Sequence, residues 1–208
     1  TVVVNGEQQN NLSKIGKPKD FDDTNFVKLF DVEANNYYKE TSLYKRTTAM
    51  IRIDDNSSYV MDLFRVKGGQ KHEFSFHAAE GSVSTEALNL VDQRGTYDGP
   101  ETQRGVLPTG ENAIGNIGYF FLYNIRQDTK PSERFSVDWE IKDTYDIYHH
   151  GISATSKVHV KLTMLGNYHT VSLANGDPPV KRGNPSTLQY VIVKNEGHDL
   201  DSMFSSVI

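Results

Sequence analysis

The chain has 208 residues, a formal net charge of -5 and no cysteine. That length can bury one good core or two small ones, of which a single sandwich-like domain is the better expectation, the charge argues against bulk affinity for nucleic acid, and the missing thiols exclude disulfides, thiolate metal sites and cysteine nucleophiles. There is no apolar run of about 18 residues to span a membrane, and the opening Thr1-Val2-Val3-Val4-Asn5-Gly6 is not built like a signal peptide.

Read in chain order, the pattern is strand and turn. Eleven Tyr and ten Phe supply nearly all the aromatic content, and such residues favour strands. Short strands are predicted over 1–4 and 26–30. Segments 47–53 and 59–66 are separated by Asp54-Asp55-Asn56-Ser57-Ser58, which predicts an antiparallel hairpin. Gly68-Gly69 then breaks the ladder and permits a bend before a strand at 72–77. Segment 81–118, rich in Gly, Thr and Asn, reads as a long irregular insertion, with a helical turn or two only over 84–92. A short strand is expected over 119–123. In 134–142, Phe135, Val137, Trp139 and Ile141 alternate with polar residues, the period of a half-buried strand. Segment 157–165 repeats it, with Val158, Val160, Leu162 and Met164 inward. A strand over 170–174 precedes the turn signal Asn175-Gly176-Asp177-Pro178-Pro179. Segment 188–193 is apolar on both sides, as in a central strand covered on both faces.

Alternation without long amphipathic helices predicts an all-β, two-layered antiparallel sandwich of supersandwich type, with few or no helices, over 1–208 as a single domain. The chain lacks an initiating Met, opens in a β-branched run and closes on Met203-Phe204-Ser205-Ser206-Val207-Ile208. Natural termini are more often loose and polar, so the expectation is an excised piece of a longer protein.

Candidate functional residues cluster around the hairpin. Lys45, Arg46, Arg52, Arg65, Lys67 and Lys71, against Asp54, Asp55 and Asp62, form either a local basic patch for an acidic ligand or an ordinary solvated face. Asp62 sits in an apolar run, and a buried carboxylate needs a partner. The expected partner lies across the hairpin, on the strand that carries Arg46. His72 and His77 are five apart, so on a regular strand they face opposite sides. One of them can line a cleft, and the competing reading for each is a hydrogen-bonded structural histidine. Adjacent His149 and His150 diverge on extended backbone and read as a surface loop rather than a metal site. His159 and His169 have no companions. Ser42-Leu43-Tyr44-Lys45 matches a Ser-x-x-Lys pattern but on a strand, which removes its mechanism. Asn56-Ser57-Ser58 is a formal glycosylation sequon on the hairpin tip. Tyr37, Tyr38, Tyr97, Tyr145 and Tyr148 lie in turn-rich segments where an aromatic face suits a sugar ring, whereas Trp139 alternates into the core.

Five stretches, in order, resemble the heparinase II/III-like polysaccharide lyases. They are Thr1-Val2-Val3-Val4-Asn5-Gly6, Lys45-Arg46-Thr47, the Tyr59 to His77 block, Leu188-Gln189-Tyr190-Val191-Ile192-Val193, and Asp199-Leu200-Asp201-Ser202-Met203-Phe204. The resemblance implies the C-terminal sandwich of an enzyme whose N-terminal α/α toroid precedes Thr1. Such enzymes cleave uronic-acid polysaccharides by β-elimination, which needs the uronate carboxylate neutralised, a base for the C5 proton and an acid for the leaving oxygen. It further implies that the catalytic Tyr and His and the first ligands of a zinc ion held by some members lie outside this chain. The fragment then has no catalytic residue and no cofactor of its own and is inactive alone. Its role is to support the toroid and line the cleft, with His77, His72, Arg65 and Lys67 as cleft candidates and Asp62 and Arg46 as structural charges. An acidic polysaccharide and the toroid are the implied partners, and the periplasm or cell exterior the implied location. The alternatives are a stand-alone carbohydrate-binding sandwich without chemistry, and a packing domain with no ligand contact.

Overall fold

The computed structural model describes residues 1–9, 16–35, 37–107, 118–142, 157–181 and 184–208. Among these residues, fourteen strands form two antiparallel sheets. They are β1 (Val2–Val4), β2 (Lys17–Asp23), β3 (Val27–Glu33), β4 (Leu43–Arg52), β5 (Ser58–Lys67), β6 (Lys71–His77), β7 (Gly81–Glu86), β8 (Val91–Asp92), β9 (Leu122–Asp128), β10 (Arg134–Ile141), β11 (His159–Leu165), β12 (Thr170–Gly176), β13 (Leu188–Glu196) and β14 (Asp201–Val207). A six-stranded sheet runs β1-β6-β13-β12-β9-β8, and an eight-stranded sheet runs β2-β3-β4-β5-β14-β11-β10-β7. The fold class is the all-β sandwich that the alternation predicts; the described residues hold only one 3-10 turn, Tyr119–Phe121.

The core fills the space between the sheets. Phe64, Val66, Phe135, Val137, Trp139, Leu162, Met164 and Phe204 come from the larger sheet, and Val2, Val4, Phe74, Val171, Val191 and Val193 from the smaller. Phe74 stacks on Phe204 across the gap, with ring centroids 5.6 Å apart, and Phe76 meets Trp139 at the same distance. Trp139 is fully buried, and its indole N–H donates to the Gln189 carbonyl at 3.1 Å. Val191, Ile192 and Val193 are all buried in β13, which lies inside its sheet between β6 and β12.

The hairpin of β4 and β5 is in register from Leu43–Lys67 to Arg52–Ser58. After it the chain leaves one sheet for the other through Gly68 and Gly69, both at positive φ (97° and 88°). A Cβ on Gly68 would lie 2.2 Å from the Glu40 carbonyl oxygen, so only glycine fits this crossing.

Four expectations need correction. The helical turn over 84–92 does not form: residues 84–86 end β7, which pairs with β10 with Val83 opposite Trp139, 91–92 are β8, which pairs with β9, and 87–90 link the two. Pairing against an existing sheet outweighs a local spacing that suits either period. Segment 119–123 is a 3-10 turn followed by the start of β9. Val158 precedes β11 and is exposed, and Asn175 and Gly176 finish β12 rather than open a turn.

The larger sheet outreaches the smaller one. By register Phe21, Phe30, Thr48 and Asp62 share its core-side face, yet Phe21 is 68% exposed and Phe30 and Met50 are exposed as well. This uncovered ledge begins where β1 ends the smaller sheet.

Candidate functional site

At the inner border of that ledge, two residues from separate stretches meet. Arg46 on β4 and Asp62 on β5 point to the same face, two residue pairs apart in register. Arg46 donates from Nε to Asp62 Oδ1 at 2.8 Å and from Nη2 to Oδ2 at 2.9 Å. The carboxylate is 1% exposed and the guanidinium side chain 46% exposed. A planar fork held by both oxygens has a fixed direction. Two of its five N–H groups are spent on Asp62, and its outer edge reaches solvent.

Aromatic rings wall this point. Tyr44 packs edge-on to Phe64 at 4.9 Å, Tyr38 tilts against Tyr44 at 5.5 Å, and Tyr37 stacks on it at 6.3 Å. The Arg46 guanidinium carbon lies 5.9 Å from the Phe64 ring centre. The Tyr44 hydroxyl donates to the Val2 carbonyl at 2.6 Å and accepts from the Gln9 amide at 3.1 Å. Burial pushes the Tyr38 and Tyr44 hydroxyls up from their ordinary range, so both are donors and neither is a ready base. The arrangement offers an oriented cation beside an aromatic wall. Its spare N–H groups can donate hydrogen bonds to a carboxylate or sulfate while its charge stays balanced by Asp62; proton abstraction needs a group from elsewhere.

The remaining candidates do not converge. His72 is fully buried, with Nδ1 2.9 Å from Ser202 Oγ on the opposite sheet and Nε2 2.7 Å from the Gly68 carbonyl. The carbonyl can only accept, so Nε2 carries the proton and Nδ1 accepts from Ser202. Burial lowers its pKa despite the Gly68 bond. It is a tie between sheets. His77 is on the outer face of the smaller sheet, its ring 4.6 Å from that of Tyr190 and its Nδ1 3.0 Å from the Ala78 carbonyl. Arg65 and Lys67 are on the outer face of the larger sheet, 3.8 and 3.7 Å from Asp201. His77 and this pair therefore point away from each other on opposite sides of the sandwich, and no single cleft takes them together.

The basic patch dissolves in the same way. Lys45 pairs with Asp31, Arg46 with Asp62, Arg52 with Asp55, and Lys71 with Glu73. Alternation along the strands distributes these cations over three faces. Tyr145, Tyr148, His149 and His150 lie outside the described residues. No group of metal-ligating side chains occurs among the described residues.

Sequence reasoning missed Glu73. It is 2% exposed on the outer side of β6. Its carboxylate accepts from the Tyr97 and Tyr119 hydroxyls, each at 3.0 Å, and lies 3.6 Å from Lys71 Nζ. Burial first, and then the Glu73 charge, drive both tyrosines far above their ordinary pKa. The cluster fastens the segment after β8 to the sheet. A carboxylate directly before Phe74 in a strand was its one sequence signal; its partners lie in the least regular part of the chain.

No family model matches the chain, and no curated protein matches it. Among solved structures it is similar to the crystal structure of heparan sulfate lyase HepC from Pedobacter heparinus, with 10% sequence identity and a TM-score of 0.45. A mutant of the same enzyme gives 9% and 0.45. Each match covers 100% of this chain and 23% of the other, so the chain spans less than a quarter of that enzyme's length.

Proposed function

We propose that this chain is the β-sandwich domain of a heparinase II/III-like polysaccharide lyase, placed against a helical domain and lining one wall of a cleft for a uronic-acid polysaccharide. The observation that carries the reading is the Arg46–Asp62 pair. Lys45-Arg46-Thr47 and the Tyr59 to His77 block resemble the family independently, and each supplies one half of a bidentate contact between a half-exposed guanidinium and a buried carboxylate. The other stretches join them: β1 pairs with β6, β6 with β13, and β5 with β14. Sequence resemblance scattered over the chain thus falls on two sets of neighbouring strands, β1-β6-β13 in the smaller sheet and β4-β5-β14 in the larger, tied to each other by His72 and Ser202.

In this reading the exposed N–H edge of Arg46 donates hydrogen bonds to the uronate carboxylate and stabilises the charge that builds there as the C5 proton leaves. That is the part of β-elimination which lowers the barrier to losing the C5 proton. The proton acceptor and the donor to the leaving oxygen belong to the partner domain, and the chain alone has no turnover.

The test is ultraviolet absorbance of the unsaturated uronate product, with heparan sulfate and with alginate. Full-length gene product is expected to turn over one of them. Arg46→Gln should lower kcat/KM by about 100-fold, in the range of losing one charge-stabilising donor, with thermal unfolding of the variant as the stability control. Sustained turnover by residues 1–208 alone, or inert full-length protein, overturns the proposal.

A further inference from the structure

A second site lies elsewhere on the sandwich. Between the loop before β9 and the segment after β12 is an open groove of ≈ 860 Å³, within the size range of small-ligand pockets. Its apolar side is Phe121, 42% exposed, with Pro178 and Pro179. Its polar side is Arg104, Asp177 and Lys181. β9 is four strand spacings from β1, about 19 Å, so the groove is separate from the Arg46 site.

The polar side is built in advance. Arg104 donates from Nε and Nη2 to the two oxygens of Asp177, at 2.9 and 2.7 Å. Its guanidinium carbon lies over Tyr123, 3.5 Å from the ring centre, and the Tyr123 hydroxyl is 3.3 Å from Thr187 Oγ1. Stacking and the double contact fix the plane of the fork. Arg104 keeps unspent N–H donors and Asp177 keeps lone pairs, an arrangement that serves hydroxyl groups. Lys181 has no carboxylate partner among the described residues. An aliphatic ligand would strip water from this ion pair and from Lys181 without replacing its hydrogen bonds. A sugar ring lays its C–H face on Phe121 and the prolines and offers hydroxyls to the pair. A carboxylate on that ring answers Lys181.

We infer that the groove formed by Phe121, Pro178 and Pro179 with Arg104, Asp177 and Lys181 is a binding site for a hexuronate unit of an acidic saccharide, outside the Arg46 site. The choice of a uronate rests on the proposed function; the groove itself does not. Such a site would hold the polymer to the sandwich between cleavage events and raise its local concentration.

The experiment is calorimetric titration of the 208-residue chain with mannuronate trisaccharide and with the neutral mannose trisaccharide. The acidic ligand is expected to bind the more tightly. Lys181→Gln and Phe121→Ala should each weaken it roughly tenfold at unchanged thermal unfolding, and Lys181→Gln should leave the neutral ligand unaffected. No binding, equal binding of both sugars, or binding indifferent to both substitutions overturns the inference. Lyase turnover by the full-length protein without binding here removes this site and keeps the proposed function. Binding here in a protein with no helical partner domain does the reverse.

Discussion

Arg46 and Asp62 differ in what each leaves behind when the other is removed. Without Asp62, the half-exposed guanidinium rotates into water. Without Arg46, a carboxylate that is 1% exposed loses its counter-charge. Breaking a buried pair costs about 3–5 kcal/mol when the survivor stays buried, so Arg46→Ala should approach about 3 kcal/mol in urea unfolding and Asp62→Ala should cost clearly less. Equal losses would mean that Asp62 is better solvated than its burial implies. His72 carries a pH signature. Its pKa in the fold is lowered, chiefly by burial, so the unfolded chain takes up the proton first. Stability is full above the unfolded value of about 6.5 and falls as pH drops from there toward the folded pKa. The urea midpoint should therefore decline between about pH 7 and pH 5, and the His72→Gln variant should lose that component of the slope. Asp62 was legible in the sequence because a charge in an apolar run demands a partner, and the hairpin allowed few. Glu73 was equally anomalous, but nothing in the sequence pointed to Tyr97 and Tyr119.

At the level of elements, the crossing from β5 to β6 and the segment after β8 are fixed by different means. The crossing is held by backbone conformation. Gly68 and Gly69 turn at positive φ, the Asn5 side-chain oxygen accepts from Gln70 N at 2.8 Å and Lys71 N at 3.1 Å, and His72 closes the turn through the Gly68 carbonyl. Gly68→Ala forces a side chain into the Glu40 carbonyl and should destabilise by about 2 kcal/mol or more; a neutral effect in thermal unfolding would contradict the crossing as described. The segment after β8 is held instead by the Glu73 carboxylate. Tyr97→Phe leaves that buried carboxylate one donor short, which should cost about 1–3 kcal/mol. Trypsin should then cut sooner after Arg94 and Arg104 while the sheets persist, so unchanged proteolysis would count against the clamp. Turn chemistry made the hairpin readable. The 84–92 stretch was misread because its spacing is compatible with either period and its partner, β10, is some fifty residues away in the chain.

The whole molecule is assembled from distant parts. β1 joins β6, β6 joins β13, and β5 joins β14, with ties such as His72–Ser202 spanning 130 residues. Few of these contacts reward the chain before long loops close, so refolding from urea should take about milliseconds to seconds; complete recovery within microseconds would be incompatible with this topology. The same topology explains why candidates that are neighbours in sequence disperse. Arg65, Lys67 and His77 lie within thirteen positions of one another, but the chain changes sheets between them and turns them to opposite outer faces. It also gathers what the sequence separates, as with Arg104 and Asp177, 73 residues apart.

The period of two in the apolar residues, the turn-forming run at 54–58 and the double glycine were enough to determine an antiparallel sandwich, because each acts over a few residues and demands one face for burial. Which strands became neighbours, which faces stayed uncovered and which charges found partners were decided only by the packing of the two sheets. Those outcomes depend on contacts between segments far apart in the chain, and local pattern carries no information about them.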